Sequence, residues 1–365
     1  MEAMDDNFSL EDGNFTSYGN NTDGLSLDYK NVTKHPAFKG VFIFVYSIII
    51  ALGITGNTMV CMAIVRNKKL HNSTYIFIGN LSVSDAAVCL VCLPFTLANA
   101  LNGIWSYGKV LCYIIRSLQP IAVFVSTLTL TAISIDRYMI VLYPFKKRLS
   151  MKLVALTLLA IWVLSISLAV PLIVNIKYVE FDVQIAGVHY KTIFCAESWE
   201  VSRNRKIYST FVFILEYALP LFVISTAYYK VWEELQRQVR PGAVSVQKKR
   251  QEIMRKKRTN KMLGTVVVCF IALWLPFNTL MIYGDYHQKL SDYYWYDVVY
   301  HLCHVIAMSS TCINPFIYGG LDELFHKEFL KIIHCVVRSS RHSAVVTGKT
   351  GTNRETRQGT LTMAY

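Results

Sequence analysis

Residues 41–65 read VFIFVYSIIIALGITGNTMVCMAIV and contain no formal charge. Coiled as an α-helix, such a run is about 37 Å long, enough to cross the roughly 30 Å hydrocarbon core of a bilayer. Six further runs of the same kind follow. Residues 72–101 are apolar apart from Asp85, and 117–135 are uncharged and lead into Asp136-Arg137. Residues 153–176 are uncharged, 207–229 carry only Glu216, 262–284 are uncharged, and 298–321 hold two histidines and no formal charge. Lipid offers no partner for an open backbone amide, so each run must close its hydrogen bonds within itself as a helix. The sequence therefore predicts an all-α membrane protein, a seven-transmembrane helix bundle over residues 41–320.

The composition agrees. Of 365 residues 53% are hydrophobic and 17% charged, against about 25% charged in a soluble domain. The net charge of +13 points to anionic lipid rather than nucleic acid, because the basic residues cluster beside the ends of apolar runs. Arg66, Lys68 and Lys69 follow the first run, and Lys146, Lys147, Arg148 and Lys152 follow the third. Ten basic residues against one acidic lie between Arg237 and Lys261, and Lys327, Lys331, Arg338 and Arg341 follow the seventh run. The alternate loops are neutral or acidic. The N-terminus is thus expected outside and the C-terminus inside. Residues 1–40 form an acidic tail with no apolar leader, so the first span acts as its own insertion signal. The tail carries three glycosylation sequons, at Asn14, Asn20 and Asn31.

After the seventh run, residues 321–336 place Leu324, Phe325, Phe329, Ile332 and Ile333 at helical spacing, which predicts a short amphipathic eighth helix on the inner leaflet. Cys335 closes it and is a candidate for palmitoylation. Residues 337–365 are polar and rich in Ser and Thr, the pattern of a disordered cytoplasmic tail.

Polar groups in hydrocarbon are costly, and each is a functional candidate. Asn57, Asp85, Asn314 and Tyr318 fall at similar depth in three runs, where they could share one hydrated cluster. Pro94, Pro171, Pro220, Pro276 and Pro315 lie within or near the ends of runs, where a missing N–H bends a helix. Phe270 and Trp274 sit one turn apart beside Pro276.

These residues carry a resemblance. Gly56-Asn57, Leu81-x-x-x-Asp85, Asp136-Arg137-Tyr138, Trp162, Phe270-Ile-Ala-Leu-Trp274-Leu-Pro276 and Asn314-Pro315-x-x-Tyr318 follow one another, one set per span, with Cys112 and Cys195 on the outer side. The pattern resembles the rhodopsin-like family of G-protein-coupled receptors. That resemblance implies that Arg137 meets a heterotrimeric G protein, that Asp136 restrains Arg137 at rest, and that Tyr228 supports the active form. It implies a sodium ion on Asp85 and Asn314, with no other cofactor or metal, and a disulfide between Cys112 and Cys195. It implies arrestin and receptor kinases as partners of the Ser/Thr-rich tail. Receptors of this family often carry an acidic residue at the inner end of the sixth helix. This chain has Lys256, Lys257 and Arg258 there, which departs from that restraint.

Within the family the chain is similar to receptors for neuropeptide Y, neuropeptide F, short neuropeptide F and RFamide peptides. An amine receptor would have aspartate where Gln119 stands, and an opsin would need a lysine in the seventh run. The resemblance places Thr96, Gln119 and His304 at the C-terminal amide of a peptide ligand, Asp285 at a ligand arginine, and Glu197 at a second acidic site. Glu216, a carboxylate deep in the fifth run where charge is costly, is a candidate for the lower pocket. Residues 178–184 and 189–194 favour strands around Ala186-Gly187, which predicts a hairpin at the mouth. The function expected is reception of an extracellular amidated neuropeptide of RFamide or RYamide type, with coupling to inhibitory G proteins, at the plasma membrane. A multi-span transporter or channel is the alternative, although no internal repeat is visible. No Ser/His/Asp set or His-Glu-x-x-His motif points to an enzyme.

Overall fold

The computed structural model describes residues 35–143, 145, 149–185, 188–237, 246–287, 293, 295–335 and 338. The sequons at Asn14, Asn20 and Asn31 and the tail beyond 338 lie outside the described residues. The bundle consists of α1 (Pro36–Arg66), α2, α3 (Gly108–Leu142), α4 (Met151–Val174), α5, α6 (Val246–Tyr286) and α7 (Tyr296–Leu321). A further helix, α8, covers 323–335. The first helix starts inside the expected tail, because Pro36 suits the first turn and His35 Nδ1 accepts the Ala37 N–H at 3.2 Å. Among the described residues six helices are long and apolar enough to cross a membrane, and α7 is less apolar than these.

Two helices change pitch part-way. α2 runs Ser73–Ala87, widens into a π turn at Val88–Cys92, and continues as Leu93–Asn102. α5 runs Ser202–Phe213, widens at Ile214–Ala218, and continues from Leu219 to Arg237. In both, a proline follows the wide turn. Pro94 would clash with the Leu90 carbonyl and Pro220 with that of Glu216, four residues earlier, and the wide turn makes room for the ring. The π turn also re-aims every side chain beyond it.

Small residues let the helices close up. A Cβ on Gly56 would lie 2.9 Å from Pro315, and one on Gly53 would overlap Cys89 Sγ. Glycine at these two positions therefore brings α1 against α7 and α2. Buried amides then link the helices. Asn57 Nδ2 donates to the carbonyls of Gly53 and Thr311, both at 2.8 Å. Trp162 Nε1 donates to Asn80 Oδ1 at 3.0 Å, and Asn80 Nδ2 donates to Thr129 Oγ1 at 2.9 Å, which joins α4, α2 and α3.

The strands are β1 (Ile176–Ile185) and β2 (Val188–Glu197), paired antiparallel from Ile185↔Val188 to Ile176↔Glu197. This is the hairpin expected at the mouth. The Cys112–Cys195 disulfide ties β2 to α3, with 5.8 Å between the Cα atoms. The Trp105 N–H donates to the Ile193 carbonyl at 2.8 Å and seats the hairpin on the loop after α2.

Candidate functional site

At the hairpin end, Gln119 of α3 faces His304 of α7. Gln119 Nε2 donates to His304 Nε2 at 3.0 Å. The ring proton then sits on Nδ1 and points to Tyr46 Oη of α1 at 2.5 Å. Rings enclose this pair: Phe277 meets His304 edge-on at 5.6 Å, and Tyr300 stacks on it at 6.3 Å. Of the residues the sequence assigned to a ligand amide, the fold therefore brings two together. Thr96 is half-buried on α2, and no hydrogen bond joins it to the pair among the described residues.

Asp285 lies in the last turn of α6 and is 8% exposed. Arg205 Nε of α5 donates to its Oδ1 at 2.9 Å, while Oδ2 is buried with no hydrogen-bond partner among the described residues. Glu197 ends β2, where its Oε1 accepts the Trp199 indole N–H. Glu216 is elsewhere. It sits in the α5 π turn and lines a separate cavity with Thr127, Pro220, Val267 and Phe270.

Deeper in the bundle, Asn314 Nδ2 donates to Asp85 Oδ2 at 2.8 Å. The two line a cavity with Ser126, Phe270, Trp274 and Thr311, and Gln119 also lines it. A hard cation takes oxygen ligands, and Asp85, Ser126 and Asn314 present a carboxylate, a hydroxyl and an amide oxygen to one space. The donor set fits sodium. Trp274 Nε1 donates to Ser310 Oγ at 3.1 Å, so α6 is tied to α7 at the bend near Pro276.

At the opposite end, Asp136 is nearly fully buried and accepts from Ser73 Oγ at 2.9 Å and Thr74 Oγ1 at 2.7 Å. Arg137 Nη2 stands 3.8 Å from Asp136 Oδ2, a longer contact than either hydroxyl makes. Tyr138 packs against Val141 and Val231, and Tyr228 lies close to Ser134 and Arg137. Tyr318 is fully buried and stacks on Phe325 of α8 at 5.6 Å. Arg258 of α6 donates to the Leu321 carbonyl at 2.8 Å and pairs with Glu323. Arg258 thus ties that end of α6 to the α7–α8 junction. Cys335 is an exposed free thiol at the end of α8.

A family model of seven-transmembrane receptors of the rhodopsin family matches residues 56–318. The chain belongs to that family. Among similar proteins, the neuropeptide F receptor of Drosophila melanogaster is 35% identical over 302 residues, covering 80% of this chain and 62% of that receptor. The neuropeptide Y receptor type 2 of Cavia porcellus is 34% identical over 328 residues, covering 88% of this chain and 84% of its own length. That of Homo sapiens is 35% identical over 323 residues, covering 87% and 83%. A rhodopsin-family receptor is a multi-pass membrane protein and not an enzyme.

The sequence did not single out five residues that build this receptor's sites. Tyr46 is one more tyrosine in an apolar run. Ser73 and Thr74 read as a helix start. Arg205 reads as a basic residue before the fifth span, and only the fold puts it on Asp285. Arg116 had a signal, as a charge one residue outside an otherwise uncharged run.

Proposed function

We propose that this receptor is switched by an extracellular amidated peptide whose Arg-aromatic C-terminal end enters among α3, α6 and α7. One observation carries the reading: a neutral amide-reading pair, Gln119 and His304, shares its end of the bundle with Asp285, a buried carboxylate with one oxygen unengaged. A terminal amide needs uncharged donors and acceptors. A ligand guanidinium needs a carboxylate, and Asp285 Oδ2 has no partner among the described residues that a ligand would have to replace. The relatives named as neuropeptide Y and neuropeptide F receptors support a neuropeptide ligand, and we assign it to the RFamide or RYamide class from the pairing of an amide site with a carboxylate. Glu197 would meet a second basic residue, Thr96 the rim of the amide site, and Glu216 the lower pocket.

Only an interaction stronger in one state shifts an equilibrium. The ligand would repack Trp274 and Phe270, release the Trp274–Ser310 bond and swing α6 about Pro276. At the inner end Arg137 would leave Asp136 and meet a heterotrimeric G protein of the inhibitory class, supported by Tyr228, Asn314, Pro315 and Tyr318. A sodium ion on Asp85, Ser126 and Asn314 would favour the resting state. The charge asymmetry of the loops supports an outer hairpin end and an inner α8 at the plasma membrane. With that orientation come glycosylation at Asn14, Asn20 and Asn31, palmitoylation at Cys335, and docking of kinases and arrestin at the tail.

The test is nucleotide exchange on a G-protein panel by the receptor in nanodiscs, challenged with amidated Arg-Phe and Arg-Tyr peptides. Asp285→Lys should abolish the response to these and spare a peptide that lacks the arginine. No exchange with any peptide would overturn the reading.

A further inference from the structure

The outer part of α3 carries one charge that the amide site does not use. Arg116 lies one turn before Gln119 and is half-buried. Its Nη2 donates to the Cys195 carbonyl at 2.9 Å. That bond takes one of the five N–H groups of a guanidinium. Among the described residues no carboxylate lies within ion-pairing distance of Arg116. Glu197, two residues after Cys195, accepts from Trp199. Asp285 pairs with Arg205.

Arg116 is close enough to Tyr300 and His304 to interact with both electrostatically, and Tyr300 also feels Glu197 and Arg205. Tyr300 thus lies near two guanidinium groups and one carboxylate, and Arg116 has no ionic partner among the described residues. A purely structural role would be to fasten β2 to α3. The Cys112–Cys195 bond already does that, covalently and one turn away. A neutral carbonyl is a weaker acceptor than a carboxylate, and a planar guanidinium matches a carboxylate with two parallel bonds.

We propose that Arg116 is a specificity-determining residue that takes a carboxylate of the ligand close to the ligand's C-terminal end. The inference rests on the peptide reading above. Three helical positions separate Arg116 from Gln119, a rise of about 4.5 Å, and an extended residue spans roughly 3.5 Å. The carboxylate therefore falls within one to three residues of the group that Gln119 reads. It has two sources: an Asp or Glu side chain just before the Arg-aromatic pair, or a free terminal carboxylate in place of the amide.

The experiment uses full-length receptor in nanodiscs and three synthetic heptapeptides, ending Ser-Arg-Phe-amide, Glu-Arg-Phe-amide and Ser-Arg-Phe with a free acid. Equilibrium binding is measured for the parent receptor, Arg116→Gln and Arg116→Glu, with thermal unfolding of each as the folding control. Arg116→Gln should weaken one of the two carboxylate peptides about tenfold or more and leave the Ser-Arg-Phe-amide peptide within about twofold. The peptide that suffers identifies the source. Arg116→Glu should reverse the preference and bind a fourth heptapeptide, ending Lys-Arg-Phe-amide, better than the parent receptor does. Equal loss with all three peptides, or no loss with any, overturns the proposal while peptide reception stands. Failure of the parent receptor to bind any of the three overturns both.

Discussion

Replacing Arg205 by alanine should tighten binding of an arginine-containing peptide while making the receptor less stable. The two effects have one origin. Arg205 Nε lies 2.9 Å from Asp285 Oδ1, so a ligand guanidinium must share or displace a group already in place. At an effective dielectric constant near 20, two charges at that distance attract by about 6 kcal/mol. Arg205 is 37% exposed, which lets water screen and replace much of that attraction, and a net value of about 1–2 kcal/mol is reasonable. If the ligand no longer displaces Arg205, affinity for an Arg-Phe-amide peptide rises by about 5- to 30-fold. The free receptor loses a partner for a buried carboxylate and melts several degrees lower. Equilibrium binding and thermal unfolding of Arg205→Ala, Asp285→Asn and the double variant close the cycle. Asp285→Asn should weaken binding, and Arg205→Ala should have no effect on top of it. Weakening by Arg205→Ala comparable to that of Asp285→Asn would refute the reasoning, because Arg205 would then be orienting Asp285 and not competing for it.

Breaking the pair between Arg258 and Glu323 with Glu323→Ala should raise ligand-free nucleotide exchange about two- to fivefold, the effect of an exposed ion pair of roughly 0.5–1 kcal/mol; unchanged basal exchange would count against a restraint at that place. Gly56→Leu should destabilise the bundle by about 1–3 kcal/mol, since its Cβ already falls 2.9 Å from Pro315, read as a lowered melting temperature in detergent. Asn57→Ala removes donors to two carbonyls at 2.8 Å and should cost about 1–3 kcal/mol by the same measurement. Asp85→Asn should abolish any dependence of agonist affinity on sodium concentration, with potassium as the control for ionic strength; persistence of the sodium effect would remove Asp85 from the cation site.

The helices and the hairpin were legible because each obeys a rule local to its own stretch of chain. A run longer than the hydrocarbon core is a span whatever surrounds it. Two strand-forming runs around Ala186-Gly187 make a hairpin by themselves. The polar residues Asn57, Asp85, Asn314 and Tyr318 were conspicuous because polarity in lipid is costly, but their partners were not: Asn314 bonds Asp85, while Asn57 bonds the Gly53 and Thr311 carbonyls and Tyr318 stacks on Phe325. Pairings between distant segments were not legible. Asp136 beside Arg137 reads as an ion pair, yet its closer partners are Ser73 and Thr74 of α2. Asp285, near the end of an apolar run, could be a solvated charge by sequence alone, and its burial comes from α5 lying against it. The π turns were illegible as well: proline marks where a helix is disturbed, and the form of the disturbance depends on what packs beside it.

The seventh helix explains why one span is less apolar than the rest. Its inward face carries His304, Ser310, Thr311, Asn314 and Tyr318, which lowers its mean hydropathy. Each of the first four is bonded by another helix. His304 contacts α1 and α3, Ser310 accepts from α6, the Thr311 carbonyl accepts from α1, and Asn314 donates to α2. A helix with that stripe facing lipid would leave these groups unpaired, so α7 is stable only inside the ring of the others. The same bonds make it the element that several sites bias at once. Its hairpin-side half holds His304, its middle holds the Trp274 indole and the Asp85 carboxylate, and its last carbonyl holds Arg258. A ligand that displaced Gln119 from His304 would change the partner of a residue on the helix to which Arg258 fastens α6. Two discrete arrangements of those polar bonds, and not a continuous deformation, are what a signal through this bundle requires.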